Sequence, residues 1–252
     1  MNRLMDDNRV LFRFYEELND FLPPSRRKIS FPYSYKGTPS VKDAIESLGV
    51  PHVEVDLILV NSKPVDFSYL LENGDVISVY PVFESIDISA ANRLRPKPLR
   101  NSRFILDAHL GKLAKYLRLL GFDTLFFNHI SDNEIISISL QERRIILTRD
   151  RNLLKHKQVT HGYWVRSQKP KKQLEEIAGR LDLKNSAIPF TRCMECNSII
   201  TMISKDAVLE NLQQKTREYY NNFRKCQGCG RIYWEGSHFE SMQKLVDSIL
   251  SG

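Results

Sequence analysis

The four cysteines of this chain occur as two Cys-x-x-Cys pairs, Cys193 with Cys196 and Cys226 with Cys229. Two such pairs can place four thiolates around one Zn²⁺ ion, because each short spacer lets the backbone direct both sulfurs to one point. A redox dithiol and structural disulfides are the alternatives, although a redox motif needs only one pair. Four sulfur ligands leave no position for water or substrate, so we predict a structural zinc and expect the reaction chemistry elsewhere.

Three aspartates stand at the edges of predicted elements rather than on their faces. Asp107 directly follows a predicted strand, Asp132 opens a predicted helix, and Asp150 follows another strand. The carboxyl ends of parallel strands share one edge of a sheet, so Asp107 and Asp150 are expected to meet there, with Asp132 joining from its helix start. Converging carboxylates without a histidine favour Mg²⁺ or Mn²⁺, which can activate water against a phosphodiester.

Each of these acidic residues also has a structural interpretation. Ser131 and Glu134 fit a capping box, in which Glu134 only satisfies backbone donors at a helix start. Asp132 in the first helical turn suits the helix dipole, and Asp150 could cap the turn before Asn152. Taken singly, such acids are more often structural than catalytic. Three of them at one edge of a basic domain favour the metal site.

The region that carries these acids alternates strands with helices, which is typical of a parallel sheet. The apolar residues of its first helix fall at helical spacing, and Gly121 closes that helix. The zinc unit is expected over about 190–239, with a terminal helix over 240–250. Strands are predicted at 104–106, 125–127, 144–148 and 163–165, and helices at 110–120, 131–141 and 173–181.

Residues 9–83 predict a separate α+β unit. Strands are expected at 9–15, 28–31, 55–60 and 76–80, around a helix that Ser40 caps. The order ββαββ is typical of a β-grasp fold, and the segment 41–83 resembles ubiquitin-like, sulfur-carrier-like domains. Carriers of that kind end in a free Gly-Gly tail, whereas this chain runs on through Pro81. The difference favours a docking or substrate-orienting role over conjugation chemistry.

The charge is divided unevenly along the chain. Residues 1–87 have a net charge of −5 and residues 88–252 a net charge of +12. The C-terminal part is therefore expected to bind a polyanion, although attraction between the two parts is the simpler alternative. Residues 88–102 predict a basic linker, because Pro96 and Pro98 discourage regular structure.

Several side chains are candidates for binding RNA. Lys112, Lys115 and Arg118 would form a stripe on the polar side of the first helix, and Arg149 and Arg151 flank Asp150. Such lysines are commonly only solvated surface, so the two arginines are the stronger candidates. Tyr233 could stack on an unpaired base or pack under the zinc site, and for Trp234 we favour packing. Lys169, Lys171 and Lys172 precede the last helix of this region.

Three segments of this chain, 105–107, 113–121 and 146–151, closely resemble the PIN-like ribonuclease domain first noted at the C-terminus of Mut-seven exonucleases. The two cysteine pairs, with the tail from Gly230 to His238, resemble the zinc ribbon appended to that family. A bacterial group joins the same domain to an N-terminal ubiquitin-like module. The resemblance implies a metal-dependent nuclease acting on RNA. It assigns Asp107, Asp132 and Asp150 to the acidic centre, with Glu134 as a weaker candidate.

We therefore expect an α/β protein in which a β-grasp domain (1–87), a linker (88–102), a PIN-like nuclease domain (103–189) and a zinc ribbon with a terminal helix (190–252) follow one another. Its expected activity is that of an endo- or exoribonuclease with Mg²⁺ or Mn²⁺ at the aspartates. The alternative is a non-catalytic RNA-binding or adaptor protein that recruits a partner through its N-terminal domain. The absence of an apolar span and of an export signal predicts a cytoplasmic location.

Overall fold

The computed structural model describes residues 8–81 and 102–251 of the 252-residue chain. The predicted basic linker, 88–102, lies outside the described residues except for Ser102. The strands in these ranges are β1 (Asn8–Phe14), β2 (Phe31–Tyr35), β3 (Val55–Val60), β4 (Lys63–Val65), β5 (Val76–Pro81), β6 (Phe104–Leu106), β7 (Thr124–Phe126), β8 (Ile145–Thr148), β9 (Gly162–Trp164), β10 (Ile200–Ile203), β11 (Phe223–Cys226) and β12 (Ile232–Trp234). The α-helices are α1 (Val41–Ser47), α2 (Gly111–Leu119), α3 (Asp132–Glu142), α4 (Arg151–Leu154), α5 (Pro170–Arg180), α6 (Gln214–Tyr219) and α7 (Ser237–Leu250).

The described residues form two compact units. The first comprises residues 8–81 and 150–164, and the second comprises 102–149 and 165–251. The segment 150–164, which contains α4 and β9, lies inside the region that the sequence assigns to the nuclease domain. Its contacts nevertheless make it part of the first unit.

A five-stranded mixed sheet lies at the centre of the first unit, in the order β2-β1-β5-β3-β4. β1 runs parallel to β5, and the other neighbouring pairs are antiparallel. Alternate residues of β1, Val10, Phe12 and Phe14, point into the core, where they join Val41 and Ile45 of α1. The alternation and the helix that covers it confirm the predicted β-grasp unit.

The second strand starts at Phe31, whereas the sequence pattern places it at 28–31. Lys28 adopts a left-handed backbone conformation with φ of 59°, and its N–H donates to Asn19 Oδ1 at 2.6 Å. Extended backbone is therefore interrupted at Lys28. The strand forms after this turn and pairs with β1 from Phe31 to Tyr35.

A parallel sheet lies in the second unit, with β6 in the centre between β7 and β8. All three residues of β6 are buried, as expected for a strand covered on both faces. α2 follows this strand and buries Leu113, Ala114 and Leu117 on its apolar face. The arrangement confirms the predicted α/β architecture of this region.

The turn after α2 joins this helix to the chain that leads into the cysteine-rich region. The N–H groups of Ile188 and Phe190 donate to the carbonyls of Leu120 and Leu119 at 3.0 and 2.9 Å. Gly121 adopts φ of +94° beside this segment, and a Cβ atom on it would come within 2.2 Å of the Ile188 carbonyl oxygen. Both the conformation and the close approach require glycine here.

The cysteine-rich region contains an antiparallel sheet of β10, β11 and β12. The long gap between the two cysteine pairs holds β10, α6 and most of β11. Its small core is formed by Val208, Leu212 and Phe223. α7 follows the sheet and begins at Ser237, three residues before the predicted start. None of the helices in residues 8–81 and 102–251 has both the length and the apolar character that a bilayer span demands.

Candidate active site and metal centre

Asp107 comes directly after β6, at the carboxyl edge of the parallel sheet. Its Oδ2 accepts hydrogen bonds from the Thr148 hydroxyl at 2.5 Å and from the Arg149 N–H at 3.0 Å, at the end of β8. Its Oδ1 accepts a hydrogen bond from the His109 N–H at 2.9 Å. Three donors therefore fix this half-buried carboxylate at the edge where β6 and β8 both end.

The other two aspartates are exposed. Asp150 caps α4, since its Oδ1 accepts a hydrogen bond from the Asn152 N–H at 2.7 Å, which is the local role considered for it above. Asp132 is the first residue of α3. Among the described residues, only the four cysteines form a group whose ligand atoms all lie within 4.8 Å of one another. The three aspartates are thus not preassembled into such a cluster.

Glu134 belongs to a capping box at the start of α3. The Glu134 N–H donates to Ser131 Oγ at 3.3 Å, and the N–H and hydroxyl of Ser131 donate to Glu134 Oε2 at 2.8 and 2.7 Å. These hydrogen bonds hold the pKa of Glu134 below its ordinary value. The capping interpretation is confirmed, and the carboxylate that was the weaker catalytic candidate is engaged at the helix start.

The four cysteine sulfurs form a compact group suited to a metal ion. Cys193 Sγ lies 3.7 Å from Cys229 Sγ, and Cys196 Sγ lies 3.3 Å from Cys226 Sγ. Tetrahedral Zn²⁺ with Zn–S bonds of about 2.3 Å requires sulfur separations of roughly 3.8 Å. All four cysteines are free thiols, so the pairs form no disulfides. The donor set and its spacing fit the predicted zinc.

Two of the thiols have pKa values shifted in opposite directions. Burial raises the pKa of the Cys226 thiol to about 12. Burial also acts on Cys196, but hydrogen bonds from the hydroxyl and N–H of Ser198 outweigh it and lower its pKa to about 6. Four adjacent thiolates repel one another in the absence of a cation, so a bound ion is needed to make all of them ligands.

The Tyr233 hydroxyl lies 3.0 Å from Cys193 Sγ. Burial and this contact raise the pKa of Tyr233, so the hydroxyl keeps its proton and donates to a thiolate. Tyr233 therefore supports the four-cysteine group through its hydroxyl, the packing alternative considered above. Trp234, for which packing was expected, is instead 40% exposed.

Arg118 departs from the predicted basic stripe, because it is buried with 5% exposure. Its guanidinium donates to the carbonyl of Thr124 at 2.9 Å and to those of Met194 and Glu195 at 3.0 and 2.8 Å. The last two residues lie between Cys193 and Cys196. Burial lowers the pKa of Arg118. This contradicts the expectation that Arg118 presents its charge to RNA: it connects α2 to the first cysteine loop.

Two further cations of the predicted RNA surface have partners within the protein. Lys115 Nζ lies 2.7 Å from Glu195 Oε1 in an exposed ion pair. The Arg151 guanidinium lies over the Trp164 ring, 3.9 Å from its centroid. Arg151 is therefore stacked on an aromatic ring rather than held out toward a phosphate.

Four of the lysines considered as RNA contacts line a groove between the N-terminal parts of α2 and α5. Its volume is about 360 Å³, and Lys172 also pairs with Glu175 at 2.5 Å. The groove is lined by Lys112, Tyr116, Lys169, Pro170, Lys171, Lys172 and Glu175. Four lysines around one groove give it a strongly positive character.

Sequence reasoning did not identify the polar network that connects the parallel sheet to the first cysteine loop. The Asn197 side chain accepts from the Thr124 N–H at 2.9 Å and donates to Asp123 Oδ1 at 2.7 Å. Arg144 Nη1 donates to the same Asp123 oxygen at 2.9 Å. Thr148 was missed as well, although a hydroxyl that ends the otherwise apolar strand 145–148 is a usable signal. For Asp123 no local signal exists, since its partners are distant in sequence.

Two family models match the chain over nearly its full length. The model described as Mut7-C RNAse domain matches residues 102–246, and the model described as Mut7-C ubiquitin matches residues 8–87. No curated protein and no solved structure shows a significant match. The two matched ranges agree with the expected order of an N-terminal ubiquitin-like domain and a C-terminal ribonuclease domain, and they support a nuclease-like function.

Proposed function

Because this chain belongs to the Mut7-C RNAse domain family, we propose that it is a metal-dependent ribonuclease that hydrolyses phosphodiester bonds of RNA. One observation carries the proposal beyond the family match. The Asp107 carboxylate is fixed at the carboxyl edge of the parallel sheet by donors from the end of the neighbouring strand. Sites in open parallel sheets form at this edge.

In the proposed site, Asp107, Asp132 and Asp150 hold Mg²⁺ or Mn²⁺. Hydrogen bonding at Asp107 and Asp150 does not prevent this, because a carboxylate offers about four acceptor positions. Thr148 and Arg149 would maintain the orientation of Asp107. A bound divalent ion would supply water activation and neutralise charge on the phosphodiester. Since carboxylates repel one another, we expect the three to converge only when the cation is present.

The proposed path of the RNA strand uses the lysine-lined groove of α2 and α5. Lys112, Lys169 and Lys171 would neutralise phosphates there, and Arg149 would act beside Asp107. Such contacts make binding dependent on salt and largely independent of sequence. In the ribbon, the exposed ring of Trp234 offers a stacking surface for an unpaired base.

The zinc that the four cysteines would bind is proposed to be structural, and the ribbon is proposed to help bind RNA. We further propose the division into domains 1–87, 103–189 and 190–252, with a linker at 88–102, and a cytoplasmic location in which thiols stay reduced. We also propose that the N-terminal domain binds a protein partner.

Cleavage of end-labelled single-stranded RNA tests the proposal. Added Mg²⁺ or Mn²⁺ should be required, and no chelator is used, so that the cysteine site keeps its metal. Asp107→Asn and Asp150→Asn should each lower the rate at least about a hundredfold, the loss expected when several kcal/mol of metal-dependent stabilisation disappear. Asp206→Asn, an exposed aspartate of the second unit, is the control and should stay within twofold of wild type.

Unchanged cleavage by both aspartate variants would show that the activity comes from elsewhere, such as a contaminating nuclease. RNA binding without any cleavage by the wild-type protein would instead favour the non-catalytic alternative.

A further inference from the structure

The segment 150–164 contacts residues of the β-grasp domain at its start, its middle and its end. It begins with Asp150, one of the proposed metal ligands, and it belongs to the same compact unit as residues 8–81. The contacts are made by Phe21 and by the turn His52–Glu54, which precedes β3.

The first contact is a stack of rings and a guanidinium. Trp164 packs against the hydrophobic core of the β-grasp domain, and its ring centroid lies 5.0 Å from that of Phe21. The Arg151 guanidinium lies 3.9 Å from the centroid of Trp164 and 5.2 Å from that of Phe21. A cation placed on aromatic faces is attracted by their quadrupoles. The residue next to Asp150 is thereby tied to the β-grasp domain.

The second and third contacts are hydrogen bonds from the turn His52–Glu54. His52 Nε2 lies 2.9 Å from the carbonyl oxygen of Val159, which can only accept, so Nε2 is the donor. Glu54 Oε1 accepts a hydrogen bond from the Trp164 N–H at 2.6 Å. One contact therefore lies at the middle of the segment and one at its end.

These two polar side chains are almost completely buried, with 7% exposure for His52 and 1% for Glu54. Burying a carboxylate costs free energy unless it accepts hydrogen bonds, so a donor must lie at hydrogen-bond distance from it. For Glu54 that partner includes a backbone N–H of the segment. The β-grasp domain thus uses a buried carboxyl group to hold residues 150–164.

We infer that the β-grasp domain positions the segment that carries Asp150, through a positioning surface formed by Phe21, His52 and Glu54. The inference rests on the proposed ribonuclease function, in which Asp150 binds the metal. It assigns the N-terminal domain a role in the reaction that does not depend on a protein partner. The three side chains act as positioning residues, because they influence the proposed reaction through the segment 150–164.

Variants of the full-length chain test this inference through two readouts. Glu54→Ala removes the acceptor of the Trp164 N–H, and Glu54→Gln restores an acceptor oxygen without the charge. The first readout is the split between kcat and KM for RNA cleavage. The second is hydrogen exchange of the amides in 150–164, which does not depend on activity.

Glu54→Ala should lower kcat about ten- to a hundredfold while KM changes less than about twofold, since small displacements of catalytic groups have effects of this size. Exchange in 150–164 should accelerate about tenfold or more, corresponding to the loss of one charge-assisted hydrogen bond. Glu54→Gln should recover kcat to within about threefold of wild type.

Asp75→Asn is the matched control. Asp75 is as buried as the positioning residues, with 4% exposure, and accepts hydrogen bonds from Asn61, Tyr69 and Glu72 within the β-grasp domain. It should leave both kcat and exchange in 150–164 close to wild type. If Glu54→Ala does not fold, Phe21→Leu replaces it, because leucine keeps the apolar volume and removes the aromatic face. The same directions of change are expected.

Two results would overturn the inference: wild-type kcat and exchange in the folded Glu54→Ala or Phe21→Leu protein, or equal losses in these variants and in Asp75→Asn. A chain that cleaves no RNA at all would refute the ribonuclease proposal separately. Hydrogen exchange alone would then decide whether the positioning surface holds the segment.

Discussion

Replacing Arg118 by methionine should uncouple α2 from the first cysteine loop. The guanidinium donates to three carbonyls, those of Thr124, Met194 and Glu195. Methionine has a similar length and apolar stem, so Arg118→Met removes the donors without opening a large cavity. The variant therefore reports on the hydrogen bonds rather than on lost packing.

The expected loss of stability depends on whether water can solvate each of the three carbonyls after the substitution. Thr124 is fully buried, with 0% exposure, and its carbonyl cannot be solvated easily. Glu195 is exposed and Met194 half-buried, so water can replace part of what their carbonyls lose. With a cost of roughly 1–3 kcal/mol for each unsatisfied buried acceptor, the free energy of unfolding of the second unit should fall by about 3 kcal/mol. Zinc affinity should weaken about ten- to a hundredfold, as for lost supporting contacts around a metal.

Urea unfolding followed by circular dichroism, with zinc present, measures the first effect, and competition with a chromophoric chelator measures the second. Lys112→Met is the control, since Lys112 is exposed on the same helix and its loss should change stability by less than about 0.5 kcal/mol. If Arg118→Met matches Lys112→Met in stability and zinc affinity, the coupling argued from the three hydrogen bonds is wrong.

Two further predictions concern the same unit. Removal of zinc should lower the thermal unfolding midpoint of the second unit by more than about 10 °C, because the binding free energy of a structural zinc contributes directly to folding. Thermal unfolding of the zinc-free protein, before and after zinc is added back, measures this effect. Burial acts to raise the pKa of Asp123, but hydrogen bonds from Arg144 and Asn197 outweigh it and hold the pKa below its ordinary value. A carboxylate whose pKa is lower in the folded than in the unfolded state stabilises the protein at pH values above the unfolded pKa, and this stabilisation is lost as the pH falls through the folded pKa. Asp123→Asn lacks the titrating group, so its urea midpoint should fall less between pH 7 and pH 3 than that of wild type.

Elements with strong local signals were predictable from sequence. The strand 104–106 agrees with β6, because its short apolar run is buried on both faces. The start of α3 was set by Ser131 and Glu134, whose side chains satisfy backbone donors three residues apart. The Cys-x-x-Cys spacing within each cysteine pair is equally local. These signals depend mainly on neighbouring residues, so they could be recognised without the tertiary structure.

The sequence alone does not show which polar side chains become buried. Arg118 lies on the polar side of its helix by periodicity, but its partners Met194 and Glu195 lie more than seventy residues away. Arg151 was expected to hold phosphate, and only the structure places Trp164 beneath it. Periodicity identifies a face of a helix, whereas long-range packing decides whether that face meets water.

The turn at Gly121 has a consequence for how this protein can be divided. Ile188 and Phe190 bond to the last carbonyls of α2, and Gly121 leaves room for their backbone. A chain cut at the proposed boundary after residue 189 would lose the bond from Phe190 and leave part of that helix end uncapped. A nuclease segment that ends at residue 189 is therefore expected to be less stable at this helix end than one that continues into the ribbon.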